Sequence, residues 1–278
     1  MQTKNAEPIS LLVTLNAGYL GPLGVMLFSV LEQNPTERFR VFVLHSSLTE
    51  ADLADTRALL GPENELLPIR VEPGSLLGAP TSDRYPTEIY YRIFAAKYLP
   101  KTLDRVLYLD PDLVVKGSLG PLFRMDLGNS LFAAASHVRR MMTYVNSLRL
   151  DTGRPEPYIN SGVMLMNLAG LRERQDEAAV YAYIEKHRAR LFLPDQDVIS
   201  GLYGASILPL DPYVYNLTEK LFALRPESDA WLDLGWIEKN TVIVHYCGRN
   251  KPWKENYVGA LDGYWLAAKA GLDARRTR

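Results

Sequence analysis

The sequence predicts an α/β protein built on a mostly parallel, doubly wound sheet, and three features of the 278-residue chain carry that expectation. Short β-rich apolar runs recur at residues 9–15, 40–45, 66–71, 105–109, 131–135, 161–168 and 241–246. Most of them are continuous rather than alternating, as expected of strands covered on both faces. Segments with helical patterning separate them, and strands alternating with helices specify a parallel sheet.

Taken in order, the first run ends at Asn16 and is too short for a signal h-region or a membrane span, so the expected location is cytoplasmic. Residues 23–33 are strongly apolar and predict a helix. Thr49-Glu50-Ala51-Asp52 resembles a capping box opening the next helix, which Gly61-Pro62 closes. Residues 88–99 and 171–190 also carry helical patterns. There is no internal repeat, and the Gly/Pro-bearing joints at 73–80 and 153–157 lack the composition shift of a linker. One domain over 1–257 is expected, followed by a C-terminal helix and basic tail over 258–278.

Composition removes several classes of function. Lys plus Arg (31) nearly cancel Asp plus Glu (32), so no overall field attracts nucleic acid. The single cysteine, Cys247, excludes an internal disulfide and a Cys-rich zinc module. Near the end, Lys269, Arg275, Arg276 and Arg278 face only Asp273, the pattern of a solvated terminus.

Chemistry-bearing residues gather where strands end. In residues 105–115 the apolar strand 105–109 ends in two carboxylates at i, i+2, and the carboxyl ends of strands are where ligands bind in open α/β sheets. If the strand continues, Asp110 and Asp112 face the same way, with Pro111 favouring extended geometry between them. Two hard oxygen ligands with open positions suit Mg²⁺ or Mn²⁺ carrying a diphosphate. An ordinary strand exit uses the same residue types. A haloacid-dehalogenase-like phosphatase also places D-x-D after an apolar strand, but near the chain start and before Gly-Thr; here Leu113-Val114 follow at mid-chain.

Residues 242–253 deliver His245 at the end of another apolar run, then Gly248 and Lys251 before Pro252-Trp253. Imidazole beside two carboxylates tilts the ion toward Mn²⁺, although a lone histidine in this position also serves as a structural residue. Gly248 permits close backbone approach to a ligand, and the Lys251 ammonium suits a phosphate. In 158–167, Asn160 offers a sugar hydroxyl both a donor and an acceptor. Asp195, Gln196 and Asp197 stand just before a helical pattern, where an N-cap role for Asp195 is the competing reading.

Five motifs occur in one order: Y-x-R before a helix ending in Leu-Pro (Tyr90, Arg92, Leu99-Pro100), L-Y-L-D-x-D (107–112), N-S-G-V (160–163), D-Q-D (195–197) and H-Y-x-G-x-x-K-P-W (245–253). Together they resemble glycosyltransferase family 8 across about residues 9–257. That family includes bacterial lipopolysaccharide and lipooligosaccharide galactosyl- and glucosyltransferases and, more distantly, glycogenin. The resemblance implies a GT-A fold, a Rossmann-like sheet with a smaller added sheet, and a retaining transfer of galactose or glucose from a UDP-sugar to a glycan or lipid-linked acceptor.

It further implies Mn²⁺, with Mg²⁺ as the alternative ion, held by Asp110, Asp112 and His245. Thr14, Asn16, Tyr19, Arg92, Asp110, Pro111, Asn160, Asp195, Gln196, Gly248 and Lys251 become nucleotide-sugar contacts, Gly248 and Lys251 at the diphosphate and Asn160, Asp195 and Gln196 at the sugar. Many relatives carry acidic residues where this chain has Asn16, Ala17 and Gly18, which leaves Tyr19 to stack on the base. Retention can proceed through a nucleophile, for which Asp197 or Gln196 are the candidates beside Asp195, or by acceptor attack on the face that UDP leaves. The second route is expected, because no carboxylate in the sequence must lie beneath the anomeric carbon.

Acceptor contacts are expected from 73–87 and 136–157, with Arg139, Arg140, Met141, Met142, Tyr144 and Arg149, a pattern an amphipathic surface helix shares. The resemblance also implies peripheral contact with the inner face of the plasma membrane, as in related bacterial enzymes with a basic, aromatic C-terminus, since Trp253, Tyr257, Tyr264 and Trp265 precede the Arg-rich end. The alternative function is a catalytically weak UDP-sugar- or glycan-binding protein on the same fold.

Overall fold

The computed structural model describes residues 7–72, 87–138, 140–225 and 227–277. Their strands are β1 (Ile9–Thr14), β2 (Phe39–His45), β3 (Glu65–Arg70), β4 (Arg105–Leu109), β5 (Leu113–Val115), β6 (Phe132–Ala135), β7 (Val163–Asn167), β8 (Ile207–Leu210) and β9 (Ile243–His245). Seven build one sheet in the order β3-β2-β1-β4-β7-β6-β8, and β5 and β9 form a separate pair. β1 is parallel to β2 and β4, β2 to β3, and β6 to β8. β7 alone runs antiparallel, between β4 and β6.

Burial on both faces explains the continuous apolar runs. In β1, Ile9, Leu11 and Val13 point into a core shared with helix α1 (Leu20–Gln33), while Leu12 points into an opposite core with Tyr90, Phe94 and Ile199. β4 repeats the alternation, with Leu107 and Leu109 on the first side and Val106 and Tyr108 on the second. Because successive side chains of a strand alternate faces, a strand sandwiched between helices is apolar at every position.

The Thr49–Asp52 capping box opens helix α2 (Glu50–Leu60): the Asp52 backbone N–H donates to Thr49 Oγ1, and the Thr49 backbone N–H donates to Asp52 Oδ2. Gly61 ends it at φ 70°, a left-handed backbone that glycine adopts without strain. Two other helical expectations need revision. Residues 88–99 are a 3-10 segment, Thr87–Phe94, running into one short α-turn, Ala95–Tyr98. The 171–190 pattern is two helices, Leu168–Arg174 and Glu177–His187, because Asp176 turns its carboxylate onto the N–H groups of Ala178 and Ala179 and starts the chain afresh.

Two strands carry too little signal to be read from sequence. β8 has four residues including Pro209 and lies at the sheet edge, where a missing N–H is tolerated. β5 has three residues and pairs antiparallel with β9, Leu113 opposite His245. The 241–246 run therefore leaves the main sheet and builds the smaller one.

The C-terminal helix Asp262–Arg276 packs on α1 and β5, with Trp265 and Leu272 buried in the same core as β1. Trp265 of this helix is 3% exposed and Tyr264 stacks with the Lys116 ammonium, while Tyr257, ahead of the helix, donates to Glu219 at 2.7 Å. Lys269 pairs with Asp273 and Arg276 with Asp55. Trp265 is therefore buried, whereas Trp253, at 38% exposure, and the basic residues Lys269, Arg275 and Arg276 lie at the surface. No helix among the described residues is long and apolar enough to cross a membrane.

Of the expected acceptor segments, 73–86 and Arg139 lie outside the described residues, as do the Arg140 and Met141 side chains and Arg278. Trp265→Ala is expected to lower the unfolding free energy by about 3–5 kcal/mol, measured by denaturant titration, because a large buried aromatic leaves a cavity where the last helix meets the sheet.

Candidate active site

The cleft opens at the carboxyl end of β4, with a volume of about 470 Å³, within the usual range for a small-molecule site. β4 stops at Leu109; Pro111 and Asp112 form a turn and the chain departs into β5. The two aspartates thus converge through a turn, not along a continuing strand. β7 begins beside them because it is antiparallel, which brings Asn160, Ser161 and Gly162 to the same end, and Gly162 O accepts from the Asp110 N–H at 2.8 Å.

Asp110 Oδ1 accepts from Tyr108 Oη at 2.6 Å and pairs with Arg92 Nη1 at 3.0 Å. Arg92 reaches Asp195 Oδ2 at 3.1 Å, and its guanidinium lies 4.4 Å from the centre of the Tyr108 ring. Asp195 also accepts from Ser161 Oγ at 2.8 Å. Burial pushes the Asp195 pKa up, and Arg92 and Ser161 only partly offset that.

Asp112 faces His245 Nε2 at 3.2 Å through Oδ1 and pairs with the Lys251 ammonium through Oδ2. Burial alone would raise its pKa, but Lys251 and His245 outweigh that and hold it well below the carboxylate range. Lys251 also donates to Tyr246 O at 2.9 Å, and burial, which would lower its pKa, is overcome by Asp112.

Asp110, Asp112 and His245 each offer a ligand atom, all within 4.8 Å of one another. A β-carbon on Gly162 would lie 2.2 Å from His245 Cε1 and 2.7 Å from Asp110 Oδ2, so only glycine leaves room for both.

Thirteen of the fourteen residues expected at the site line this one cleft: Thr14, Asn16, Tyr19, Arg92, Asp110, Pro111, Asp112, Asn160, Asp195, Gln196, His245, Gly248 and Lys251. Thr14 and Asn16 are held by local hydrogen bonds. Thr14 Oγ1 lies 3.1 Å from Tyr108 Oη, which itself donates to Asp110, so Thr14 is a brace behind the aspartate. Asn16 Oδ1 accepts from the Gly18 N–H and caps the turn that carries Tyr19. Gly248 turns at φ 91° between His245 and Lys251.

Asp197 is the exception, and its expected place as a nucleophile does not fit where it lies. It is fully buried, and its carboxylate accepts from Arg149 at 2.6 and 2.8 Å, from Tyr158 Oη at 2.6 Å, and from the backbone N–H groups of Phe192 and Leu193. These bonds fix the chain entering helix Pro194–Tyr203, whose N-cap is Leu193 without a side-chain cap, so Asp195 lies within the helix and does not serve as its N-cap. Arg149 is spent on this contact and is not an acceptor-facing residue, whereas Met142 and Tyr144 of the same helix are exposed.

His137, Asn216, Thr218 and Lys220 are site residues that motif reading missed; all but the buried Asn216 line the cleft. His137 follows β6, whose carboxyl end lies on the same sheet edge as that of β4 with β7 between them, so the strand-end rule that found Asp110 would have found it. Burial and the nearby His245 lower its pKa to about 3, so it stays neutral. Asn216 belongs to no motif and carries no comparable signal.

Arg92→Leu is expected to cost about 3–5 kcal/mol in stability, measured by denaturant titration, because it leaves the buried Asp195 and the partly buried Asp110 without their shared cation.

Residues 10–257 match the family model described as Glycosyl transferase family 8. The lipopolysaccharide 1,2-glucosyltransferase of Escherichia coli is 27% identical over 253 residues, covering 88% of this chain and 74% of that protein. The lipopolysaccharide 1,3-galactosyltransferase of Salmonella typhimurium is 25% identical over 275 residues, covering 97% and 80%. The galactosyltransferase LgtC, solved with donor and acceptor sugar analogues, shares the fold, GT-A, at a TM-score of 0.80 and 23% identity over 95% of this chain and 96% of that one. With its motifs gathered in one cleft and its sequence matched almost end to end, the chain belongs to glycosyl transferase family 8 and is a glycosyltransferase.

Proposed function

We propose that this glycosyltransferase moves a hexose, galactose or glucose, from a UDP-sugar to a glycan or lipid-linked acceptor, with retention and with a bound divalent cation, Mn²⁺ before Mg²⁺. The observation that carries the reading is the meeting of Asp110, Asp112 and His245 from separate segments, with Lys251 beside them at the cleft wall. Two carboxylates and one imidazole form a mixed O/N donor set, which suits Mn²⁺ better than the all-oxygen surroundings Mg²⁺ prefers. Their spacings of 3.2 and 3.7 Å between the imidazole nitrogen and the carboxylate oxygens match ligands at about 2.1 Å from one ion.

A cation held there supplies Lewis-acid stabilisation of the negative charge that develops on the departing diphosphate. The protein's own groups act around it. Lys251 places a second positive charge at the same wall, fixed by Tyr246 O, and contributes to stabilising that charge without transferring a proton. Tyr19 lies with its ring 6.0 Å from the Lys251 ammonium, in position to cover a base at the cleft edge. Asn160 and Gln196, 3.5 Å apart, offer amide donors and acceptors to sugar hydroxyls. Arg92 keeps Asp110 and Asp195 apart in charge and in orientation.

The engagement of both Asp197 oxygens supports attack on the face that UDP leaves. Gln196 and Asp195 remain at the wall, Asp195 tied to Arg92 and Ser161. Mass spectrometry of the enzyme quenched during turnover is expected to find no glycosyl adduct on Asp195, Gln196 or Asp197; an adduct on any of them would establish the two-step route.

Release of UDP from UDP-galactose or UDP-glucose is expected to require Mn²⁺ and to fall about a hundredfold or more in Asp110→Asn. Tight donor binding with no turnover in the unaltered protein would point instead to a UDP-sugar-binding protein.

A further inference from the structure

Asn216 is fully buried and touches three residues of the cleft. Its Nδ2 lies 3.0 Å from Asn160 Oδ1, its Oδ1 lies 2.9 Å from His245 Nδ1, and its backbone carbonyl accepts from His137 Nε2 at 2.8 Å. Its side chain bonds His245 of the cation site and Asn160 of the sugar pocket, as Arg92 bonds Asp110 and Asp195.

The direction of each bond follows from a donor that cannot turn round. The Gly162 backbone N–H donates to the Asn160 side chain at 3.1 Å, which makes the accepting atom the amide oxygen. That oxygen cannot donate, so the Asn216 atom facing it is the NH₂ group. The Asn216 atom facing His245 is then an oxygen, and His245 donates to it through Nδ1–H. In the neutral ring the remaining nitrogen, Nε2, carries the lone pair, and it points at Asp112 Oδ1 and Asp110 Oδ2. A cation held there would be coordinated by Nε2 and the two carboxylate oxygens together.

We propose that Asn216 is a positioning residue that fixes the tautomer of His245, presenting Nε2 to the metal, and through the same amide orients Asn160 in the sugar pocket. The inference rests on the metal-dependent reading above. Hydrogen-bonded partners of this kind set ligand orientation and basicity at metal centres. Here the partner is an amide, so it orients the ring without adding charge to a cluster that already holds three carboxylates. It also ties the cation site to Asn160, so displacement at one is felt at the other.

The test is direct Mn²⁺ titration by calorimetry without nucleotide, together with kcat for UDP release from UDP-galactose or UDP-glucose. Asn216→Leu and Asn216→Ala remove the acceptor and are expected to weaken Mn²⁺ binding about 10–100-fold. Asn216→Asp keeps an acceptor for His245 Nδ1–H but sets a second oxygen against Asn160 Oδ1. Its Mn²⁺ affinity is expected to stay within about threefold of the unaltered protein, while kcat falls about tenfold or more. A side chain that merely fills space would lose both properties together.

Unchanged Mn²⁺ binding in the truncations, or equal loss in the aspartate variant, overturns the proposal. If neither truncation folds, judged by thermal melting, Asn216→Asp decides: retained binding with reduced kcat supports the role, and lost binding overturns it. An unaltered protein that binds no Mn²⁺ overturns the metal reading and this inference with it; binding in the unaltered protein and in the truncations alike overturns the role of Asn216 alone.

Discussion

The cleft is organised by the need to compensate three carboxylates at one strand end, Asp112 and Asp195 buried and Asp110 partly so. Asp110, Asp112 and Asp195 lie within reach of one another, and an unpaired charge in such a place costs several kcal/mol. Arg92 serves Asp110 and Asp195, and Lys251 serves Asp112. Two permanent cations against three carboxylates leave one negative charge in this cluster, beside an imidazole. The divalent ion and anionic nucleotide of the proposed reaction would each offset the other there. The chain's net charge of −1 is therefore no guide to its ligand; the charge that matters is local.

That requirement explains features that otherwise look incidental. The 3-10 segment Thr87–Phe94 is buried on nearly every side, and Arg92 and Glu88 lie inside it because each has a partner: the two aspartates for Arg92, and the Ser46 hydroxyl for Glu88. The two-stranded sheet of β5 and β9 pairs Leu113 with His245, which sets the imidazole next to Asp112. β7 reverses direction within a mostly parallel sheet, and only that reversal puts Asn160 and Gly162 at the end where β4 stops. A parallel strand would have delivered them to the opposite edge. Gly162 then lets His245 and Asp110 approach across a surface with no side chain.

Much of this was legible in the sequence where local chemistry and position coincide. The apolar run of β4 and the carboxylates after it identify a ligand-binding strand end, and the Thr49 capping box marks its helix to the residue. Legibility failed where a residue's partners are remote. Asp197 and Asp195 are two positions apart in one acidic cluster, yet one is sealed beneath the wall by Arg149 and Tyr158 while the other stays at the cleft. Asn216 sits in an unremarkable segment, and its role exists only through His245 and Asn160. The aromatic residues of the C-terminal region suggested a membrane-facing surface, but Trp265 turns toward the core because α1 and β5 offer it apolar cover.

By itself the sequence determined the fold class, the set of strands with enough apolar residues to be buried on both faces, and the family, because motif identity and order are written along the chain. Only the tertiary structure decided which polar residues are working groups and which are braces. Hydrogen-bond direction, burial and charge pairing depend on neighbours brought from as far as 139 positions away, as Lys251 is brought to Asp112, and no local pattern encodes such an encounter.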